Sequence, residues 1–283
     1  MERIRRSWQL AKASLDVLRK DKELMIFPII SALAMVVVSA VFLVPSLLSN
    51  LVDNMLGTDA PVLGYLVLFL FYIVQYTVVY FFNTALIGAA LIRLRGGDPT
   101  VKDGFKVAMS RLGPIVGWAL VSATVGLLLN VITDKSKKNG HGIGHIISSL
   151  LGAASNIVTF LVVPVLAAEG LGPIEAIKRS WALLKRSWGE QISGTITIGI
   201  VFGLIGVLGG LLLVGAGVGL SIWLESWVPG LLFGITLVVF IMFMGLLNST
   251  LSGIFAAAVY TYAIDGESEL FDAQLLSGAM LQG

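Results

Sequence analysis

The chain has 283 residues, 57% of them hydrophobic and only 13% charged, against about 45–50% and about 25% in soluble domains. A soluble fold of this size has no interior able to take up so much Leu, Val, Ile and Gly, and the absence of cysteine excludes disulfides, thiolate metal sites and Cys nucleophiles. The net charge of +2 is small, and its information lies in its distribution.

Several runs exceed the roughly 18–20 apolar residues that cross a hydrocarbon core, and the alternating ten-residue pattern of an outer-membrane barrel is absent. The class expected is an all-α integral membrane protein. The first 23 residues are charged throughout and lack the apolar core and small-residue site of a cleavable signal peptide. They read as an amphipathic helix instead. Ile4, Trp8, Ala11, Leu15 and Leu18 share one face, and Arg3, Arg5, Arg6, Lys12, Arg19 and Lys20 lie largely off it.

A first span is expected at about 24–48, with Pro28 and Pro45 near its ends. An acidic loop with Asp53 and Asp59 follows. The second span starts near Pro61 and stays apolar to about Leu94, so it tilts, kinks near Asn83 or Gly88, or projects into water. Thr100 and Asp103 form a capping-box pattern that opens a short helix over 101–112, with Val101, Phe105, Ala108 and Leu112 as its stripe. Gly113-Pro114 opens the third span, to about Thr133, and a polar loop over 134–145 follows. The fourth span covers about 146–168 with Pro164 inside it.

Gly-Leu-Gly-Pro then leads into IKRSWALLKRSW, Ile177 to Trp188, a short basic helix with Pro173 in its first turn and a stripe of Ile174, Ile177, Trp181, Leu184 and Trp188. The fifth span, about 192–220, carries Gly199/Gly203, Gly206/Gly210 and Gly215/Gly219 at i, i+4, a spacing for close helix packing. Those faces suit homo-oligomerisation or a membrane-protein partner as well as packing within the chain, and the run Gly209 to Gly219 is equally open to breaking the helix. Trp223 and Trp227 flank Glu225 as an interfacial aromatic pair. The sixth span runs from Pro229 towards Ile264, and an acidic tail, 267–283, closes the chain.

Sixteen of the nineteen Lys and Arg fall in the N-terminal helix, the 93–111 segment and the 178–186 segment; Lys135, Lys137 and Lys138 lie opposite. The positive-inside rule then places both termini and all three amphipathic helices on the cytoplasmic side of a prokaryotic inner membrane. The expected fold is six transmembrane helices as three hairpins, each preceded by a cytoplasmic amphipathic elbow, with internal repeats at about 1–96, 97–171 and 172–266. Trp8, Phe105 and Trp181 align in the elbows, and Asn83-Thr-Ala-Leu-Ile-Gly88 echoes Asn248-Ser-Thr-Leu-Ser-Gly253 in the second spans. Every unit has two crossings, so the repeats share one orientation and an inverted-repeat transporter is not indicated.

The RSWxLxK pattern before a span, the Asn-Thr segment, GGDPT, GLGPIEAIKRSWALLKRSWGE and FAAAVYTYA followed by FD resemble uncharacterised multi-pass membrane proteins of bacteria and archaea. These are similar to the membrane domain fused to some glycerophosphodiester phosphodiesterases. The resemblance spans almost the whole chain and implies no reaction, because the soluble phosphodiesterase barrel and its acidic metal ligands have no counterpart here.

Two sets of residues carry the functional expectations. The elbow residues Arg5, Arg6, Trp8, Lys12, Lys106, Arg111, Lys178, Arg179, Trp181, Lys185 and Arg186 suit an interface with anionic lipid of the cytoplasmic leaflet. Gln75, Asn83, Asn156 and Asn248 form the intramembrane polar set, which either joins helices by hydrogen bonds or lines a polar path. No Asp, Glu, Lys or Arg lies at the centre of a span, against proton-coupled transport and voltage sensing. His141 and His145 have no third metal ligand beyond Asp134, and Gly215, Gly217 and Gly219 do not complete a dinucleotide fingerprint. No HExxH, GxSxG or Walker pattern is present. No cofactor and no nucleic-acid partner is expected. The leading expectation is a non-enzymatic, lipid-interacting scaffold or partner-binding module, and the alternative is a transporter or channel along the Asn-bearing spans.

Overall fold

Where the sequence supplies long apolar runs with proline only near their ends, the backbone closes into unbroken helices, because a span in hydrocarbon must satisfy its own N–H and C=O groups. The computed structural model describes residues 14–49, 61–138 and 159–265. Residues 14–20 are helical and lead through a 3-10 turn, Lys22–Met25, into α1, Ile26–Ser49. The remaining helices are α2 (Pro61–Leu94), α3 (Val101–Ser110), α4 (Leu112–Lys138), α5 (Val162–Glu169), α6 (Pro173–Trp223) and α7 (Val228–Asp265). Among the described residues four helices are long and apolar enough to cross a membrane, or five if the α3–α4 pair, bent by 71°, counts as one span.

Pro28, Pro61, Pro114 and Pro173 all fall within the first three residues of their helices, where a missing N–H removes no intrahelical bond. Pro164 does the same in α5. The chain turns at 160–161 and the helix restarts at Val162, so this proline opens a helix rather than lying inside one. The third elbow is not a separate short helix. It continues into the fifth span as a single 51-residue helix, and Gly209 to Gly219 do not break it. Each glycine costs about 1 kcal/mol of helix propensity, but an opened backbone in hydrocarbon costs several. The 34-residue α2 likewise runs unbroken past Asn83 and Gly88, for about 51 Å. It exceeds the roughly 30 Å hydrocarbon core, and its last turns enter a packed pole.

That pole holds the buried core. Ala85–Leu94 of α2, Leu251–Tyr260 of α7, most of α5 and the start of α6 (Ala176, Leu183, Leu184) pack with Val17, Leu18, Phe27, Ala108 and Ile115. Helices α2 and α7 lie side by side and run parallel: Leu86 fills the space over Gly253, and both helices run on to their C-terminal ends in the same core. Away from the pole, α6 and α7 continue as a hairpin whose apolar side chains point outward, as with Leu204, Leu211, Leu212, Val238 and Met242. Lipid is the solvent for these residues.

The two hairpin helices approach through Gly209 and Gly217, where an added Cβ would stand 2.5 Å from Phe240 Cζ and 2.7 Å from Phe233 Cβ. Gly210 has ordinary room, 3.6 Å from Leu237 Cδ1, and at Gly203 and Gly206 a Cβ would meet nothing described within 4 Å. The expected packing pairs are therefore not the ones that bring these helices together, because α7 presents its phenylalanines to a different face of α6. The surroundings of Gly199 lie outside the described residues.

The hairpin turns at Glu225, the one described non-glycine residue with a left-handed backbone (φ 47°). Trp223 and Trp227 beside it are 78% and 73% exposed at the hairpin tip, where amphipathic rings favour the membrane interface. Glu225→Gly removes the steric cost of that φ and should raise stability by about 0.5–1 kcal/mol, read as a higher midpoint of thermal unfolding in detergent.

Candidate functional site: the basic elbows and a polar stripe

The α3 elbow is built as its sequence implies. Thr100 accepts from the Asp103 amide at 3.3 Å, and Asp103 accepts in return from the Thr100 amide at 3.0 Å and its hydroxyl at 2.6 Å. These bonds hold the Asp103 carboxyl below its ordinary pKa. The cap is therefore complete above the usual carboxylate range and is lost as pH falls through the lowered value. The α3 stripe packs largely on the bundle through Val101, Phe105 and Ala108, while Leu112 at its end is exposed. Phe105 packs among Phe27, Phe81 and Phe82 at centroid distances of 5.6, 6.0 and 5.9 Å, and Gly104 sits directly on the Ala85 carbonyl. Val107 covers Gly88 of α2. Lys106 is exposed.

At the start of α6 the buried face is Ala176, Ser180, Leu183 and Leu184. Ile174, Lys178, Trp181 and Lys185 recur at steps of four, three and four and face outward. Ile174 is 68% exposed, and Lys185 Nζ lies 5.4 Å from the centre of the Trp181 ring. The expected apolar stripe is thus split: Ile177 and Leu184 pack inward, whereas Ile174 and Trp181 stand on the outer face with two lysines.

The expected headgroup residues divide in the same way. Lys178, Trp181 and Lys185 share the outer face. Arg179 turns inward, its Nε donating to both Glu169 oxygens at 2.9 and 3.1 Å. Arg111 folds over the α5–α6 turn, where Nη2 donates to the Ala168 carbonyl at 3.4 Å, near the negative end of α5. Gly170 there has φ 67°, and a Cβ would strike the Arg111 guanidinium. Arg5, Arg6, Trp8 and Lys12 lie outside the described residues, as do the side chain of Arg186 and the loop with His141 and His145. Among the described residues no group of three or more His, Asp or Glu could hold a metal.

Two ionic clusters at the pole were not read from the sequence. Glu169 takes Arg179 and also the hydroxyl of Tyr260 at 2.9 Å, joining α5, α6 and α7. Arg93 donates through Nε and Nη2 to both oxygens of Asp21, and Nη2 also reaches Asp98. The available signal was a single charge at the very end of an apolar run, as at Arg93 and Glu169. Their partners are 72 and 91 residues away for Asp21 and Tyr260, beyond any local pattern.

The intramembrane polar set is not gathered into one place. Gln75 Nε2 donates to Ser39 Oγ of α1 at 2.7 Å and lies 3.4 Å from the Met35 carbonyl, while its Oε1 is buried without a partner. Asn83 is half-buried on α2. Asn248 is five residues before Gly253, about 140° round α7 from the contact with α2, and its buried Oδ1 has no partner. Asn156 lies outside the described residues. Three tyrosines that sequence reasoning passed over, Tyr72, Tyr76 and Tyr80, form a stacked row along α2, with centroid separations of 6.3 and 5.9 Å.

An all-helical core cluster capped by ionic pairs, with long helices whose apolar side chains face outward, defines a helical membrane protein. The model of a family of unknown function, DUF6159, matches residues 62–270, and the chain belongs to that family. No curated protein matches it.

Proposed function

We propose that the protein is a non-enzymatic, lipid-interacting module of the prokaryotic cytoplasmic membrane that serves as a scaffold for partners, with six spans in three elbow-plus-hairpin units and both termini cytoplasmic. The observation that carries this reading is the outer face of α6. Its inner face is closed by Leu183, Leu184 and the Arg179–Glu169 pair, and Lys178, Trp181 and Lys185 are exposed together on the opposite face. A ring at the headgroup level with two cations beside it suits the phosphates of an anionic leaflet. The three-unit arrangement is supported by the Gly253–Leu86 contact, which sets the two echoing segments against each other. The described parts of the basic elbows, residues 14–20, α3 and the start of α6, pack at the pole where α2 and α7 end, and this supports a cytoplasmic pole.

Each lysine near an anionic surface contributes about 1 kcal/mol. Lys178→Ala with Lys185→Ala should therefore weaken retention of phosphatidylglycerol about thirtyfold, measured by native mass spectrometry on protein released from mixed nanodiscs. Retention of neutral phosphatidylcholine should not change. Equal retention of the anionic lipid by variant and parent would remove the reading.

A further inference from the structure

The stripe on α2 has a property that neither the elbows nor the core uses. Tyr72, Tyr76, Tyr80 and Asn83 recur at steps of four, four and three, and Gln75 lies beside them. The stripe extends about 16 Å within the apolar stretch Leu66–Leu94, inside a hydrocarbon layer of about 30 Å. It is flanked by Ser39 of α1 and by Trp118, Ser122 and Gly126 of α4.

Two of its polar groups are engaged by the protein. Tyr80 shares a hydrogen bond with Ser122 at 2.9 Å, and Gln75 donates to Ser39. The others are not. Gln75 Oε1 is buried and unpaired, and the Tyr72 and Tyr76 hydroxyls and the Asn83 amide have no hydrogen-bond partner among the described residues. The Tyr76 hydroxyl faces Gly126 of α4, where an added Cβ would stand 3.4 Å from it, about van der Waals contact. All five stripe residues are half-buried, and so are within reach of surrounding lipid.

Polar atoms without partners are strongly disfavoured in hydrocarbon. A row of them from helix to helix, open to lipid and free of any fixed charge, suits a ligand that passes rather than one that stays. Transit requires sites attractive enough to enter and weak enough to leave. Neutral hydroxyl and amide donors meet that condition for a phosphodiester headgroup, where Arg or Lys would hold it. We propose that this stripe is a track along which phospholipid headgroups cross the bilayer midplane, their acyl chains remaining in the lipid, so that the protein equilibrates phospholipid between leaflets. The track rests on the lipid-interacting reading only in its choice of ligand; its residues are separate from Lys178, Trp181 and Lys185.

The test uses the full chain in phosphatidylcholine–phosphatidylglycerol vesicles carrying a trace of headgroup-labelled fluorescent phospholipid, bleached from outside with dithionite. Protein-free vesicles should keep about half of the signal, because two leaflets share the label, while vesicles with the protein should lose nearly all of it. Tyr72→Phe, Tyr76→Phe and Asn83→Leu together should slow the second phase more than tenfold. Tyr76→Phe alone, which keeps the ring and its stacking, should slow it severalfold and serves if the triple variant does not fold. A protected half in vesicles holding the folded parent protein overturns the track. If that preparation still retains phosphatidylglycerol through Lys178 and Lys185, the lipid-interacting reading stands without it. Scrambling at the parent rate in folded Tyr76→Phe and triple variants also overturns it. A dimer abolished by Tyr76→Phe, with no scrambling, would assign the stripe to a second copy of the chain and overturn it as well.

Discussion

Arg93→Ala should destabilise the protein by about 3–5 kcal/mol, the cost of removing one partner from a buried ion pair. Asp21 is only 8% exposed and receives both guanidinium contacts from Arg93. Without the arginine it is a carboxylate held out of water with no cation. Asp98, the other partner, is exposed and loses little. The informative comparison is the double variant Asp21→Ala, Arg93→Ala, which removes the orphaned charge. It should be more stable than Arg93→Ala alone. Arg93→Lys should rescue only part, since an ammonium cannot make the two-pronged contact. The readout is the unfolding midpoint in detergent followed by tryptophan fluorescence. A midpoint for Arg93→Ala equal to that of the parent would mean that the pair is solvated and that the first span is held to the pole by packing alone.

The second large effect is expected at Gly104. An added Cβ would lie 2.4 Å from Phe27 Cζ and 2.7 Å from the Ala85 carbonyl oxygen. Phe27 is fully buried and the carbonyl belongs to the backbone of α2, so neither can retreat cheaply. Gly104→Val should cost about 3 kcal/mol, the upper part of the range for overpacking, and should loosen α3 from α2. Increased proteolysis around Thr100 and a lower unfolding midpoint would report it. Gly245→Ala is the matched control: it lies in the interior of α7 with nothing described within 4 Å of the added carbon, and should be neutral or stabilising by up to about 1 kcal/mol. A Gly104→Val protein as stable as the control would show that α3 does not need its close seat on α2.

Much of the secondary structure was legible because its causes are local. Thr100 and Asp103 carry their own cap, and prolines in first turns mark where helices begin. The Gly-Leu-Gly-Pro segment turns because Gly170 takes the left-handed conformation at the end of α5. The α3 elbow was legible for the same reason: it is short and amphipathic, and Val101, Phe105 and Ala108 of its stripe point towards the core while Leu112 does not. The α6 elbow was harder. Its hydrophobic spacing gives a stripe through Ile174, Ile177, Trp181 and Leu184, but the face that seats on the bundle is Ala176, Ser180, Leu183 and Leu184, so only part of the stripe points inward. The small residues Ala176 and Ser180 sit on that face without any hydrophobic signal to mark them.

By itself the sequence determined that this chain lives in a bilayer, where its apolar runs lie, and that its cations crowd into three segments. Those follow from composition and from the length of hydrocarbon a helix must cross. Tertiary structure alone decided which way each long helix faces. In water a helix declares its inner face by burying apolar groups, but a span apolar all round gains nothing by pointing one leucine inward rather than another. Rotation is then set by small fits and paired charges: Gly253 under Leu86, Gly209 under Phe240, Arg93 on Asp21, Glu169 between Arg179 and Tyr260. Those fits turn Gln75 towards α1 and Asn248 away from α2, and they leave the tyrosines of α2 in a row beside α4.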